Sequence, residues 1–339
     1  MQSTQVYAVS KAAGPDSFQV RGTDIPEPSP GQARVRVEAA GVSYGDLLFQ
    51  RGVVPGGPKP PFVPGCDLTG TVEAVGPGVA GVRPGDRVTA LVVSGGYCSA
   101  LSLPAERLVP VPDRLDPVQV AAVSLNYFIA HQMLHRVAQV RTGQRIVVHG
   151  ASGGVGLAFL QLAEQIGGVT VWGTCSAANA DLVRSHGAIP VDYRTEDFVA
   201  VVEAAGDAVD AVFDPIGGSH FRRSYRVLCP GGRLVAYGQN DALRNGKNNL
   251  LVGATGFLGG IIAPKLVPDG RKTGFYNAWA LEKTQPTAYR EDLTTVLSLL
   301  AAGAIMPRSV TVLPLSEAAK AFQALQDGVA GKIVLDCTG

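Results

Sequence analysis

The stretch RIVVHGASGGVG, residues 145–156, combines the residue types and the spacing of a turn that binds phosphate. β-Branched residues typical of a strand lead to Gly150, a loop of small residues follows, and apolar residues then recur at helical spacing. A Gly-rich turn alone can be purely structural, but the strand before it and the helix after it favour a dinucleotide site. Gly153 and Gly154 would let the backbone approach a pyrophosphate, and Gly156 would let helix and strand pack closely. The predicted cofactor-binding loop consists of Ala151, Ser152, Gly153, Gly154, Val155 and Gly156.

Residues 169–180, which follow this loop, decide which nicotinamide cofactor fits. A dinucleotide fold that binds NAD carries a carboxylate about 20 residues beyond the glycine loop, where it accepts hydrogen bonds from the ribose. Residues 169–180 contain no Asp or Glu. A carboxylate there would repel a 2′-phosphate, so its absence favours NADPH, with Ser176 and Asn179 as hydrogen-bond donors to that phosphate.

Three further residues are candidate cofactor ligands. Gly238 and Gln239 follow a predicted strand at the carboxyl edge of the sheet, where ligands of such folds bind. Lys332, in GKIVL, is expected either to reach the cofactor phosphates or the nicotinamide, or to be a solvated turn lysine.

Composition excludes several classes of function. The 339 residues carry a formal net charge of +1 without a basic run, which argues against binding nucleic acid or an acidic membrane. The first residues lack the pattern of a signal peptide, and no apolar run reaches membrane-spanning length, so we expect a cytoplasmic protein. Five scattered cysteines without a CxxC pair indicate neither a disulfide framework nor a structural zinc cluster.

The elements that position these residues change character along the chain. Up to about residue 123, short strands alternate with Gly and Pro turns, and GVAGVRPGDRV is predicted to be strand, turn and strand. A long helix follows, and then strands alternate with helices, which predicts a doubly wound parallel sheet in an α/β fold. The last segment, from about residue 289, abandons that alternation and is expected to return to the first domain. The clearest predicted strands are 5–10, 33–39, 68–75, 87–92, 146–148, 169–172, 189–191, 211–213, 233–236, 309–313 and 333–336.

Two segments near the end of the parallel sheet bear on partners and on substrate access. Residues 272–278, KTGFYNA, are predicted to form an edge strand, and an unpaired edge invites pairing across a two-fold axis, so we expect a homodimer. Residues 250–262, LVGATGFLGGIIA, are either an apolar lid or pocket wall or the start of an ordinary helix.

The chain resembles the medium-chain dehydrogenase/reductase superfamily, specifically its zinc-independent quinone oxidoreductase branch. The resemblance spans nearly the whole chain and is most specific in the block from Gly65 to Val88 combined with ASGGVG. Within the branch, NY at 126–127 and GFYNAW are most similar to the homologues of the synaptic vesicle membrane protein. The resemblance implies a GroES-like substrate domain, residues 1–123 and 281–339, around a Rossmann-type cofactor domain, residues 124–280.

The same alignment of motifs argues against a catalytic zinc ion. Zinc alcohol dehydrogenases of the superfamily place Cys where this chain has Ser43 and His where it has Cys66, and the region of their third ligand offers only Asn126. His131 and His135 are spaced i, i+4, but without a nearby third ligand they are expected to be a surface or core pair.

The resemblance also implies roles for single residues. Tyr44 follows Ser43 in a loop that the family places beside the nicotinamide, and is a candidate to line the substrate pocket and to donate a hydrogen bond. Tyr127 and Asn126 are candidates to contact the nicotinamide or the substrate. Both tyrosines have a packing role as the alternative. Asp46 is expected to hold its loop by a structural hydrogen bond.

Two departures from the relatives qualify the cofactor and the substrate. Tyr193 matches the tyrosine that related quinone reductases place by the adenosine phosphate, but their Lys near Ala180 is missing. Enoyl-thioester reductases of the superfamily have a Tyr where this chain has Val53 and Val54, which argues against that branch.

Three functions remain. The first is a zinc-independent reductase that transfers a hydride from NADPH to a quinone or to the C=C bond of an α,β-unsaturated carbonyl. The second is a reductase dedicated to one biosynthetic, polyketide-like enone. The third is a non-catalytic partner protein that binds the nucleotide without turnover.

Overall fold

The computed structural model of the chain describes residues 1–12, 14–52, 54, 56–206, 208–242, 249–328 and 331–339. Contacts divide the chain into unit 1, residues 1–128 and 290–339, and unit 2, residues 129–289. The sequence analysis placed the corresponding boundaries after 123 and 280, five and nine residues earlier than 128 and 289. Asn126 and Tyr127, which it assigned to the cofactor domain, therefore belong to unit 1.

A β-rich first part is followed by alternating strands and helices, as the sequence pattern predicted. The strands are β1 Gln2–Ala8, β2 Phe18–Asp24, β3 Gln32–Val42, β4 Asp67–Val75, β5 Arg87–Leu91, β6 Ala100–Pro104, β7 Val109–Pro110, β8 Arg145–His149, β9 Thr170–Cys175, β10 Ile189–Asp192, β11 Val209–Asp214, β12 Leu228–Ala236, β13 Lys272–Phe275, β14 Val310–Pro314 and β15 Lys332–Asp336. The α-helices are α1 Tyr44–Gln50, α2 Pro117–His131, α3 Gly154–Ile166, α4 Ala180–Ser185, α5 Phe198–Ala204, α6 His220–Arg226, α7 Leu250–Phe257, α8 Ala278–Thr284, α9 Ala288–Ala301 and α10 Ala318–Gln326.

Unit 1 is a β-rich unit whose main sheet joins both ends of the chain. The strands of this sheet follow the order β14-β15-β3-β4-β5-β7, and β6 also pairs with β3. The last strand, β15, lies antiparallel to β3 with Ile333 opposite Val42, which confirms that the C-terminal segment returns to the first domain. Alternate residues of β3, among them Val35 and Val37, are fully buried in its core.

Unit 2 contains the six-stranded parallel sheet that the alternation of strands and helices predicted. Its order is β10-β9-β8-β11-β12-β13, so the connections run outwards in both directions from the neighbours β8 and β11. Buried apolar residues such as Val147, Val212 and Phe221 form its core. The carboxyl ends of β8 and β11 form the topological switch point, the place where doubly wound sheets bind their ligands.

Residues 250–262 are helical, as the second of the two interpretations of this segment expected. Helix α7 continues into a π-helical turn, Leu258–Ile262, and leaves Leu251 and Leu258 exposed. Strand β13 lies at the edge of the sheet, as expected from KTGFYNA. In the part of the chain that the structure describes, no helix is both long and apolar enough to cross a membrane.

Candidate functional site

The glycine loop between β8 and α3 is a tight turn that only small residues can form. Gly150 has a positive φ of 69°, and its carbonyl accepts the N–H of Gly153 at 2.9 Å. A Cβ on Gly156 would lie 2.1 Å from the Gly150 oxygen, so the close approach of α3 to the loop requires a glycine there.

The same loop has the properties of an anion site. Gly153 is the N-cap of α3 and has no side chain with which to cap that helix end. Gly153 and Gly154 are exposed, so the N–H groups of the first turn lie open to a bound anion. The residues of this loop therefore fit the pyrophosphate of a dinucleotide.

The remaining predicted cofactor residues of unit 2 come together at the same edge of the sheet. Ser176 follows β9, Tyr193 follows β10, and Gly238 and Gln239 follow β12, and all these strands are parallel. The amide of Asn179 donates to the hydroxyl of Ser176 at 3.2 Å. Their common location is the edge at which this class of sheet binds nucleotides.

Arg194 is a cation at this edge that the sequence analysis did not single out. Its guanidinium carbon lies 5.7 Å from the centroid of the exposed Tyr193 ring, and its side chain is exposed. The carboxylate of Asp192 is engaged in the turn, where it accepts the N–H of Arg194 and the hydroxyl of Thr195. The signal was present in VDYRTEDF, where Arg194 directly follows the tyrosine.

A buried polar network lies beside the glycine loop, at the ends of β8 and β11. Asp214 accepts hydrogen bonds from His220 Nδ1 at 2.9 Å and from the Ser224 hydroxyl at 2.6 Å. Ser224 also contacts His149 Nε2 at 3.2 Å. One ligand atom from each of His149, Asp214 and His220 lies within 4.8 Å of the others, a composition compatible with a metal ion. Hydrogen bonds already link these residues through Ser224.

In unit 1 the side chain of Asp46 holds the loop after β3. One of its oxygens accepts the N–H and the hydroxyl of Ser43 at 2.9 and 2.7 Å, and also the hydroxyl of Tyr97 at 3.1 Å. Its other oxygen accepts the N–H of Gly65 at 3.0 Å. These bonds give Asp46 the structural role that was expected of it.

Cys66 lies next to this carboxylate, in the position where zinc dehydrogenases carry a histidine. The thiol is buried, and burial together with the nearby charge of Asp46 raises its pKa well above the ordinary value.

Asp67 and Lys332 form a second buried polar group. The sequence analysis named Lys332 but not Asp67. One oxygen of Asp67 accepts the N–H of Gly41 at 2.5 Å. Desolvation raises the pKa of Asp67 to about 7, although the nearby ammonium of Lys332 opposes the shift. Lys332 is only 9% exposed and its ammonium has no hydrogen-bond partner among the described residues, so it is not a solvated turn lysine.

The two candidate tyrosines have different surroundings. Tyr44 is the first residue of α1 and is 41% exposed, and its partial burial raises the pKa of its hydroxyl. Tyr127 is buried in α2, and its hydroxyl donates to the carbonyl of Met306 at 3.1 Å, as a packing residue would. Asn126 is half-buried on the same helix.

Other residues weighed in the sequence analysis are placed as follows. The rings of His131 and His135 pack with centroids 4.4 Å apart. Val53 lies outside the described residues, and Val54 lies in a bend after α1.

Comparison with known proteins identifies the family. Residues 29–113 match the alcohol dehydrogenase GroES-like domain, and residues 186–335 match the zinc-binding dehydrogenase family. The synaptic vesicle membrane protein VAT-1 homolog of Rattus norvegicus is 33% identical, over 94% of this chain and 80% of its own length. The chain belongs to the medium-chain dehydrogenase/reductase superfamily, in its zinc-independent quinone oxidoreductase branch.

Two reductases are also similar to this member of the superfamily. A 2-haloacrylate reductase of a Burkholderia species is 34% identical, over 68% of this chain and 72% of its own length. The solved quinone oxidoreductase of Pseudomonas syringae superposes with a TM-score of 0.83 and 26% identity, covering 98% of this chain and 99% of that one. The protein is thus an oxidoreductase of a family that uses a nicotinamide cofactor, and it contains the GroES-like and Rossmann-type domains expected from its sequence.

Proposed function

We propose that this oxidoreductase is a zinc-independent, NADPH-dependent reductase of quinones or of the C=C bond of α,β-unsaturated carbonyls. The observation that carries the proposal is the open glycine loop of unit 2, with Ser176, Tyr193 and Arg194 following the neighbouring strands. The names of its relatives, a 2-haloacrylate reductase and a quinone oxidoreductase, support the substrate class. Both kinds of acceptor are electrophiles that a hydride can reduce without a metal ion.

The preference for NADPH rests on charge at the adenosine end. Residues 169–180 supply no carboxylate, and the nearby Asp192 has its oxygens engaged in a turn. Arg194 then provides the cation that relatives supply from a lysine near position 180. Guanidinium is well suited to phosphate because it offers several N–H donors in one plane.

On the substrate side, this chain must stabilise the negative charge that develops on the acceptor oxygen. When bound, the nicotinamide supplies the hydride, while the protein positions the acceptor and provides hydrogen-bond donors. Tyr44 is half-exposed and its raised pKa keeps the hydroxyl protonated, so it acts as a donor and not as a base. Lys332 is the candidate cation of unit 1, because its buried ammonium has no hydrogen-bond partner among the residues described there.

Calorimetric titration with NADPH and with NADH tests the cofactor. We expect the unmodified protein to bind NADPH at micromolar concentrations and NADH much more weakly. Arg194→Ala should weaken NADPH binding about tenfold and leave NADH binding within about twofold, because only NADPH has the 2′-phosphate. The matched control is Arg226→Ala, another exposed arginine of unit 2, which pairs with Glu203. Equal binding of the two cofactors by the unmodified protein would contradict the NADPH assignment.

Turnover separates the enzyme from the alternative of a non-catalytic nucleotide-binding protein. The assay follows NADPH oxidation at 340 nm with a panel of quinones, enones and acrylates. Oxidation with several acceptors supports the proposal, whereas activity confined to one elaborate enone would favour a dedicated biosynthetic reductase. Tight NADPH binding without oxidation by any acceptor would favour the binding protein.

We also propose a homodimer in the cytoplasm. Among the described residues β13 pairs only with β12, which leaves one edge of the sheet open. The segment before it contacts β13 through the hydrogen bond from Thr273 to the carbonyl of Ile261, and carries the exposed apolar residues Leu258, Ile262 and Leu266. An open edge flanked by apolar side chains is suited to pairing with a second copy.

A further inference from the structure

Thr174, near the end of β9, holds the first two residues of the glycine loop. Its hydroxyl oxygen accepts the N–H of Gly150 at 3.1 Å, and its carbonyl accepts the N–H of Ala151 at 2.9 Å. Thr174 is 5% exposed, so water does not compete effectively for these bonds. One residue of the neighbouring strand therefore fixes the backbone at the point where the loop leaves β8.

The orientation of the Thr174 hydroxyl is determined by the buried network. Asp214 accepts hydrogen bonds only, so the Ser224 hydroxyl must donate to it at 2.6 Å. Ser224 consequently accepts from His149, which places the proton of the imidazole on Nε2. Nδ1 is then an acceptor, so the Thr174 hydroxyl, 3.2 Å away, donates to it. The Thr174 oxygen is left with its lone pairs free for the N–H of Gly150.

This order of hydrogen-bond donors requires that His149 be neutral. The imidazole is completely buried, and desolvation, together with the neighbouring His220, lowers its pKa to about 3. The groups that face the ring are His220 at a centroid distance of 4.4 Å and Phe198 at 4.6 Å, with the carboxylate of Asp214 beyond Ser224. At neutral pH the ring has one proton and one acceptor nitrogen, as the network needs.

We propose that Thr174 is the positioning residue of the dinucleotide loop, held in one orientation by the chain of hydrogen bonds from Asp214 through Ser224 and His149. The inference rests on the proposed function, because it assumes that the loop binds the pyrophosphate. Its consequence is that the loop is preorganised before the cofactor binds. Removing the hydroxyl lets the loop move and weakens the binding of NADPH and NADH alike, unlike a change at Arg194.

The test compares Thr174→Val, which removes the hydroxyl at nearly constant shape, with Thr174→Ser, which restores it. The control is Thr89→Val, a fully buried strand threonine of unit 1 whose hydroxyl donates to the carbonyl of Leu68. In the protein without cofactor, we expect the Gly150 amide to exchange its hydrogen at least about tenfold faster in Thr174→Val. Exchange in Thr174→Ser and in Thr89→Val should stay within about threefold of the unmodified protein. Unchanged Gly150 exchange in Thr174→Val would overturn the proposal.

Cofactor titration of the same variants gives the second measurement. Thr174→Val should weaken NADPH and NADH binding by a similar factor of about ten, with rescue in Thr174→Ser. Binding equal to that of the unmodified protein would overturn the positioning role even if the thermal midpoint falls. If the unmodified protein binds neither cofactor, the proposed function fails. The exchange experiment needs no cofactor, so it still tests whether the Thr174 hydroxyl holds the Gly150 amide.

Ser224→Ala keeps the test valid should Thr174→Val not fold. Nitrogen-15 chemical shifts of the histidines report the tautomer, and His149 should show a proton on Nε2 in the unmodified protein. Losing the acceptor Ser224 should shift the His149 nitrogens and speed Gly150 exchange, although Ser224 does not touch the loop. A proton on Nδ1 in the unmodified protein would reverse the deduced order of donors and overturn the proposal.

Discussion

Burial of the Asp67 carboxyl group lowers the free energy of unfolding at neutral pH. It is fully buried, and its pKa is raised to about 7, well above that of a carboxyl in the unfolded chain. Between about pH 4 and pH 7 the native protein therefore keeps a proton that the unfolded chain releases. Linkage then requires that the free energy of unfolding fall as the pH rises through this window.

Asp67→Asn should remove this pH dependence. The amide is close in shape to the protonated carboxyl and can still accept the N–H of Gly41. The stability of the variant relative to the unmodified protein should rise between pH 4 and pH 8, by up to about 4 kcal/mol for a shift of this size. Urea unfolding at several pH values measures it, with the exposed Asp113→Asn as control. A difference that is constant over the pH range would contradict the prediction.

Tyr44 and Tyr127 allow a matched comparison, because each loses only a hydroxyl on replacement by Phe. Tyr44→Phe should lower kcat by about tenfold to a hundredfold if the hydroxyl donates to the developing oxyanion, with little change in thermal stability. Tyr127→Phe should leave kcat within about threefold and lower the thermal midpoint, because its hydroxyl bonds to Met306. Steady-state kinetics and thermal unfolding of both variants distinguish a donor role from a packing role. Equal kcat values for Tyr44→Phe and the unmodified protein would assign Tyr44 to packing.

The sequence indicated site residues that lie within one motif and missed those that meet through the fold. The small residues from Ala151 to Gly156 were recognisable because their spacing is local. Thr174, Ser224 and Asp214 reach His149 and the loop only because β9 and β11 both pair with β8. No local pattern marks such residues, since a buried threonine or aspartate at a strand end has many structural uses.

At the scale of the element, the turn into α3 depends on two glycines to different degrees. A Cβ on Gly156 would collide with backbone at 2.1 Å, whereas one on Gly153 would meet only the Gly150 oxygen at 3.3 Å. Gly156→Ala should therefore cost about 3 kcal/mol of stability or more, as changes that force backbone movement do. Gly153→Ala should fold nearly normally and bind NADPH more weakly, because it adds a methyl group at the exposed N-cap of α3, where the pyrophosphate is proposed to bind. Thermal unfolding and NADPH titration of the two variants test this prediction, and equal losses of stability in both would contradict it.

Elements with a strong periodic pattern were predictable, and those without one were not. The interpretation of GVAGVRPGDRV as two strands was wrong in its first half, because residues 78–86 contain turns and irregular backbone and the strand begins only at Arg87. Gly78, Gly81 and Gly85 all have positive φ, and Pro84 offers no N–H to a neighbouring strand. Strand β2 was missed because most of its residues are exposed and show no alternation. The π-helical turn at Gln132–Ala138 has no recognised pattern in sequence.

At the scale of the whole molecule, the C-terminal segment completes the first unit and does not extend the second. The departure of the tail from the alternation of strands and helices predicted this, but the register that joins β15 to β3 was beyond the sequence. That register places Lys332 close to the end of β3, and the ammonium then acts on Asp67. A lysine in a glycine turn is ordinarily solvated, so only the pairing of strands explains its burial.

The open edge of the parallel sheet supports the last prediction, which concerns assembly. Leu258 and Leu266 are 60% and 84% exposed and belong to the segment that contacts β13. A dimer interface at this segment would bury these two apolar side chains, which are costly to expose to water. We expect sedimentation velocity to give twice the mass of one chain, and Leu258→Asp combined with Leu266→Asp to give the mass of a single chain. The control is Val20→Asp, an equally drastic change at a half-exposed position on β2 of unit 1. A dimer that survives both substitutions would place the interface elsewhere, and a monomeric unmodified protein at micromolar concentration would overturn the homodimer. Because the substituted residues lie apart from the glycine loop in the chain, NADPH binding should persist in the monomeric variant, which separates loss of assembly from loss of fold.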